Sequence, residues 1–166
     1  MSPKFKTYIF TIFFSILGGV VIWNNYSQAT LPLIIFYVAL LINTFFSIEF
    51  FAKIIPAGRR EQEIIDLLMV ASYLALILTL GSETWYLFFA TVLFLIASLK
   101  YVFLLGTVDL KILKKKTIID MSGTVACIAA LAGSLAGYGE VTNWIWAILF
   151  VVANIYLLVF RPMYKI

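Results

Sequence analysis

The stretch TIIDMSGTVACIAALAGSLAGYG, residues 117–139, is the one from which we interpret the fold. It is apolar enough to span a bilayer, yet it is rich in the smallest residues of the chain. These residues recur at steps of three and four and would share one face of a helix; they are Gly123, Ala126, Ala130, Gly133 and Gly137. Such a face lets helix backbones approach closely, which holds helices together in lipid. We therefore expect the five residues to pack against other helices, with this helix lying inside a bundle.

The composition extends this interpretation to the whole chain. Of its 166 residues, 64% are apolar and only 12% are charged, whereas a soluble domain has about 45–50% apolar and about 25% charged residues. The charged residues fall in a few short clusters, and no stretch is long or polar enough to form a separate soluble domain. We therefore predict one integral membrane domain over residues 1–166, surrounded by membrane lipid.

Six apolar segments predict an all-α, polytopic integral membrane protein, folded as a compact bundle of six transmembrane helices. Each segment is near the length needed to cross about 30 Å of hydrocarbon. The segments cover residues 7–23, 31–51, 64–80, 85–105, 118–136 and 144–160. Short sequence matches, such as 93–98 with 149–154, also indicate three two-helix hairpin repeats in the same orientation.

The basic residues give these segments an orientation. The connections 24–30, 81–84 and 137–143 contain no Lys or Arg. The basic residues lie instead near the two termini, in 52–63 and in 106–117, together with Lys100 late in the fourth segment. The positive-inside rule then predicts that both termini are cytoplasmic. Because a composition rich in Phe, Ile and Lys is typical of a prokaryotic source, we expect the cytoplasmic (inner) membrane of a prokaryote.

Aromatic residues agree with this orientation, since tryptophan and tyrosine are enriched at membrane interfaces. The predicted outer interface contains Trp23, Trp85, Trp144 and Trp146, and the predicted inner one contains Tyr8, Tyr101 and Tyr164. An alternative concerns the first segment, because its basic start, its apolar run and Ser27-Gln28-Ala29 also resemble a signal peptide. We interpret the segment as a span, since its removal would leave five spans and an external N-terminus.

Histidine is absent and Cys127 is the single cysteine. This excludes a His-ligated haem, a Cys/His zinc site, a Ser-His-Asp or Cys-His catalytic pair and an internal disulfide. We therefore expect no metal and no cofactor, and we interpret Cys127 as a small packing residue. The net charge of +4 belongs to the topology signal, so we expect no nucleic-acid partner.

Four ionisable residues lie towards the cytoplasmic third of the predicted spans: Glu49, Asp66, Lys100 and Asp120. Charges at such depth are costly and usually face protein or water, which makes them candidates for function. In one interpretation Lys100 pairs with Asp66 or Asp120 and closes an inner vestibule. In the other, Lys100 extends to the headgroups while the two aspartates occupy helix first turns, where the helix dipole favours them. Glu49 lies near a helix C-terminus, where the dipole disfavours it.

Amides and hydroxyls deeper in the membrane form a second set of candidates. Those that could line a ligand site are Asn43, Thr124, Ser134 and Asn154. A buried amide needs a hydrogen-bond partner or water. These side chains therefore either line a polar cavity or join neighbouring helices.

Three classes of function are compatible with these features. The first is transport, by a helical bundle that binds or conducts a small-molecule solute, with Glu49 and Lys100 gating its inner end. The second is a non-catalytic accessory or scaffold subunit, in which the basic segment 106–116 contacts lipid or a partner protein, or the small residues mediate a homo-oligomer. The third, a lipid-modifying enzyme, is least favoured because the carboxylates are scattered and histidine is missing.

Overall fold

The computed structural model describes residues 3–28, 30–55, 60–106 and 108–162, and they form helices without any strand. The helices are α1 Pro3–Asn25, α2 Leu31–Ile54, α3 Arg60–Leu78, α4 Glu83–Phe103, α5 Leu110–Gly133 and α6 Gly139–Ile155. The π-helical segments Ser134–Tyr138 and Tyr156–Phe160 follow α5 and α6. The predicted all-helical class is thus confirmed. Arg59, Tyr164 and Lys165 lie outside the described residues, as do the side chains of Lys4 and Lys6.

Four of the helical stretches are long and apolar enough to cross a membrane. They are Thr7–Asn25, Leu31–Ile54, Glu83–Phe103 and the run Leu110–Phe160 that contains α5 and α6. Large apolar side chains on all the described helices point away from the core, among them Ile16, Leu78 and Val125. An apolar surface of this extent is what lipid requires and water does not tolerate. The predicted association with a membrane is therefore supported.

α5 begins about two turns before the predicted residue 118, at Leu110. The Asp109 side chain caps the helix by accepting a hydrogen bond from the Lys111 backbone N–H at 2.7 Å. No Gly or Pro follows Asp109 in the basic segment to prevent an early start. The segment predicted as a cytoplasmic connection is therefore largely helical, and Asp120 lies in the middle of α5, contrary to its predicted place in the first turn. Asp66 is likewise the seventh residue of α3, so it too lies beyond the first turn in which it was predicted.

The helices pack side by side in a ring. Neighbours around the ring are α1 and α2, α2 and α6, α6 and α5, α5 and α4, and α4 and α3, with a smaller contact between α3 and α1 that closes it. α5 is thus a member of the ring with two main neighbours, and the expectation that it lies inside the bundle is wrong. Its outward side, including Val125 and Ile128, is exposed.

The three consecutive helix pairs each pack as neighbours, but the ring does not relate them by one rotation. Contacts between pairs join α2 to α6, α4 to α5 and α1 to α3. If one rotation related the three pairs, α2 would contact α3, α4 would contact α5, and α6 would contact α1. Of these three contacts, only the one between α4 and α5 is among those that join the pairs. The faint sequence repeat is therefore not reflected in the packing.

Aromatic side chains from several helices fill the centre of the ring. Phe36 of α2 is fully buried and stacks on Trp146 of α6 with ring centroids 3.8 Å apart. Trp146 is only 4% exposed, so its predicted place in an interfacial belt is wrong, whereas Trp23 and Trp85 are exposed as a belt requires. The Tyr86 hydroxyl crosses from α4 to donate to the Leu33 carbonyl of α2 at 2.9 Å.

Four of the five predicted packing residues make close contacts, whereas the fifth, Gly137, forms the turn after α5. Gly123 faces the ring of Phe94, and Gly133 faces Thr142 so closely that a Cβ on either glycine would collide with its neighbour. Ala126 and Ala130 pack against the large core cluster. Gly137 differs, because it is exposed and has a φ of 88°, a left-handed conformation that suits glycine. It turns the chain between α5 and α6, where we expected it to pack.

Candidate functional site

A layer of polar side chains separates two apolar clusters inside the ring. The large cluster contains residues from all the described helices, including Phe36, Tyr86 and Ala130. The small cluster consists of Phe50, Phe51, Tyr101, Leu104 and Leu113. We call the polar side chains that line the cavity between the clusters the polar layer, which comprises Asn43, Thr44, Ser47, Tyr73, Lys100, Tyr101, Lys116 and Asp120. The rings of Tyr73 and Tyr101 also belong to the large and the small cluster, respectively.

The order of residues along α2 and α5 shows where the polar layer lies along the bundle. On α2, Leu40 of the large cluster precedes Asn43 and Ser47, and Phe50 of the small cluster follows them. α5 runs in the opposite order, with the small cluster first and the large cluster last. The small cluster therefore lies at the end of the bundle that carries the basic residues, which we call the basic end.

The polar layer lines a partly open cavity of about 60 Å³. A space of this size holds a few water molecules or a solute of similar dimensions. Apolar side chains from α2, α3 and α4 complete its walls, among them Leu40, Met69 and Leu93. The cavity thus has room for an inorganic ion or a very small polar molecule.

A buried ion pair forms the centre of the site. The Lys116 ammonium lies 3.3 Å from Asp120 Oδ1, one helical turn away on α5, and both side chains are only 5% exposed. The Tyr101 hydroxyl of α4 donates to the other carboxylate oxygen, Oδ2, at 2.6 Å. Both oxygens of Asp120 are therefore partnered by positive or donor groups, which keeps its charge tolerable in an apolar interior.

A second ion pair connects the cavity to the surface. The Lys100 ammonium, which lines the cavity, lies 2.6 Å from Asp66 Oδ1 on α3. The Lys100 side chain is 14% exposed and that of Asp66 is 58% exposed. Charged groups thus extend from the buried Lys116–Asp120 pair to the edge of the bundle on the side of α3 and α4.

Hydroxyl and amide groups of α2 and α3 complete the layer. The Thr44 and Tyr73 hydroxyls hydrogen-bond to each other between α2 and α3. Asn43 and Ser47 line the same cavity from neighbouring turns of α2. Together with the two lysines and the two tyrosines, these groups can replace the hydration shell of a small ion or polar solute.

The four predicted ligand-lining residues have different positions. Asn43 lines the cavity, and Thr124 lies one turn above Asp120, whose backbone carbonyl accepts its hydroxyl at 3.1 Å. Asn154 is buried but donates to the Phe150 carbonyl of its own helix at 3.0 Å. Ser134 lies in the π-helical segment next to the turn at Gly137. Of the four, only Asn43 lines the cavity, and Thr124, Ser134 and Asn154 do not.

The predicted inner-side charges also divide into two groups. Lys100 and Asp120 line the cavity, and Asp66 pairs with Lys100 at its edge. Glu49 pairs with Lys53 one turn along α2, at 3.3 Å, and lies outside the cavity. This pair is half-exposed, and Glu49 at position i with Lys53 at i+4 is the stabilising order on a helix.

Sequence reasoning missed Lys116 and Tyr101. The sequence pattern places Lys116 in the basic connection and Tyr101 in an interfacial belt, whereas both are buried in the polar layer. The signal for Lys116 was its spacing of four residues from Asp120, which places the two on one helix face. Nothing in the sequence distinguished Tyr101 from an interfacial tyrosine.

The polar layer has no metal-binding arrangement. Across residues 3–28, 30–55, 60–106 and 108–162, no group of three or more His, Cys, Asp or Glu side chains could hold a metal ion. Comparison with known proteins gives no assignment, because the chain matches no protein-family model, no curated protein and no solved structure.

Proposed function

We propose that this chain is a transport-related membrane protein, a helical bundle that binds or conducts a small solute at the polar layer. The observation that carries the proposal is the Lys116–Asp120 pair beside a cavity in an otherwise apolar interior. A buried ion pair usually stabilises a protein less than apolar residues of the same volume would. Ionisable residues inside a membrane commonly mark the path of an ion or substrate.

The cavity size narrows the class of solute. At about 60 Å³ it suits an inorganic ion or a polar molecule of a few atoms. Its lining is amphoteric, with two ammonium groups, one carboxylate and several hydroxyls. A solute would enter past Lys100 and Asp66 and then compete with Lys116 for Asp120, or with Asp120 for Lys116.

We further propose six crossings with both termini in the cytoplasm of a prokaryotic cell. α3 would cross with its charged first turns at the basic end, and α5 and α6 would cross separately, on either side of the turn at Gly137. This arrangement puts the Lys and Arg residues on one side, as the positive-inside rule requires. The polar layer would then face the cytoplasm.

Solute-induced stabilisation tests the transport proposal. A ligand at one hundred times its dissociation constant should raise the unfolding midpoint of the purified chain by about 5–10 °C. A panel of small inorganic ions and small polar molecules would be measured against wild type, Asn43→Leu and Asn154→Leu. We expect Asn43→Leu to abolish the shift, because it puts an apolar group in the cavity wall, and Asn154→Leu to retain it.

The two asparagine variants carry the same substitution, and Asn154 lies outside the cavity. If no solute stabilises wild type, or if both variants lose the shift equally, the transport proposal fails. The accessory-subunit role would then be favoured by a stoichiometric partner that co-purifies through Lys114 and Lys115, which are exposed on α5. Lys116 should be left intact in that test, since it is buried.

A further inference from the structure

The charged side chains that line the cavity carry more positive than negative charge. Lys100 and Lys116 contribute two ammonium groups, whereas Asp120 contributes the single carboxylate among the described lining residues. Asp66 also pairs with Lys100, but its side chain is 58% exposed at the edge of the bundle, where water screens its charge. The buried part of the polar layer therefore has one surplus positive charge, which is costly in an apolar interior.

The carboxylate of the lining already has partners on both of its oxygens. The Lys116 ammonium lies 3.3 Å from Asp120 Oδ1, and the Tyr101 hydroxyl donates to Oδ2 at 2.6 Å. A metal cation would have to displace these groups in order to bind the carboxylate. It would then lie in a small cavity with two ammonium groups, which repel it strongly where little water screens the charges. The electrostatics of the cavity therefore disfavour a metal cation.

Hydrogen-bond donors accompany the surplus charge. Lys100 lines the cavity from α4, and Asn43 and Ser47 line it from neighbouring turns of α2. An ammonium group only donates hydrogen bonds, and a serine hydroxyl and an asparagine amide can each donate as well. Lysine side chains are among the groups that select anions in membrane pores. The cavity can therefore hold an anion both by charge and by hydrogen bonds.

We propose that the polar layer binds a monovalent inorganic anion of about the size of a halide. One such anion neutralises the surplus positive charge, whereas a neutral solute would leave it uncompensated and a divalent anion would reverse it. The anion would compete with Asp66 and Asp120 for the ammonium groups of Lys100 and Lys116. This inference rests on the proposed transport function and specifies the class of its solute.

Thermal unfolding of the purified full-length chain tests the inference. Sodium fluoride, chloride, bromide and gluconate would be compared at one ionic strength and one pH, with gluconate as the anion too large for the cavity. We expect a halide at one hundred times its dissociation constant to raise the unfolding midpoint by about 5–10 °C over gluconate. Lys100→Met should abolish this difference by removing the surplus charge, and it should still fold because the Asp66 carboxylate that it leaves unpaired is exposed. Asp66→Asn should lower the halide concentration at half of the full shift, because it removes a competitor for Lys100.

Lys53→Met is the matched control, because Lys53 also pairs with a carboxylate, that of Glu49 at 3.3 Å, but lies outside the cavity. It should retain the full halide effect. Equal midpoints in the four salts overturn the inference, as does a halide effect that survives Lys100→Met or is lost equally in Lys53→Met. A shift that depends on Asn43 but is produced by a cation or a neutral solute overturns the anion alone and leaves the transport proposal in place. The absence of a shift with any solute overturns both.

Discussion

Replacing Lys116 with methionine is expected to lower the free energy of unfolding by about 3–5 kcal/mol. The substitution preserves the volume of the aliphatic chain but leaves Asp120 buried with Tyr101 as its cross-helix donor. A buried carboxylate that loses its counter-charge is strongly destabilising. Reversible unfolding in mixed detergent micelles measures the change.

Lys115→Met provides the matched control, since Lys115 is the adjacent lysine and is exposed. Its effect should be within about 0.5 kcal/mol. The double variant Lys116→Met/Asp120→Leu should recover much of the loss, because no unpaired charge remains. If Lys116→Met costs no more than Lys115→Met, the ion pair is not buried as described.

Gly18→Val is expected to destabilise the protein by about 2–4 kcal/mol, through overpacking and a lost hydrogen bond. A Cβ at position 18 would lie 2.6 Å from Cε1 of the Tyr37 ring. Tyr37 is 2% exposed, and its hydroxyl donates to the Phe14 carbonyl of α1 at 2.8 Å. The ring therefore cannot move aside without breaking the bond that joins α1 to α2.

The next residue provides the control for this prediction. A Cβ on Gly19 has no other atom within 4 Å, so Gly19→Val carries the same change in helix propensity without the collision. The difference between the two variants in the same unfolding assay isolates the contact with Tyr37. Equal stabilities would mean that α1 does not pack on α2 through Gly18.

The all-helical membrane class could be predicted from the sequence, because membrane helices require long apolar runs. Such runs can be recognised without knowing any tertiary contact. The approach of helices at Gly123 and Gly133 followed from the same logic. The role of Gly137 could not be predicted in this way, because the sequence does not distinguish a glycine that turns the chain from one that permits close packing. The ring position of α5 depends on which helices neighbour each other, and local pattern carries no information about that.

The candidate site was predictable only in part, for a related reason. Asn43, Lys100 and Asp120 were identified because polar groups in apolar segments are conspicuous. Lys116 was not, because the expected boundary of α5 fell between it and Asp120 and hid their common face. Tyr101 depends on a contact between α4 and α5 that no single helix encodes.

Side-specific labelling of a cysteine at position 47 tests the central claim most directly, which is that the polar layer is a water-accessible site facing the basic end. Ser47→Cys would be placed in a Cys127→Ala background and exposed to a small, membrane-impermeant thiol reagent in sealed vesicles of either orientation. Ser98→Cys is the control, since Ser98 is buried outside the cavity and donates to its own helix. We predict that Ser47→Cys reacts only from the side of the basic residues, and that Ser98→Cys reacts from neither. A Ser47→Cys that is inert from both sides, or that reacts only from the opposite side, would contradict the claim.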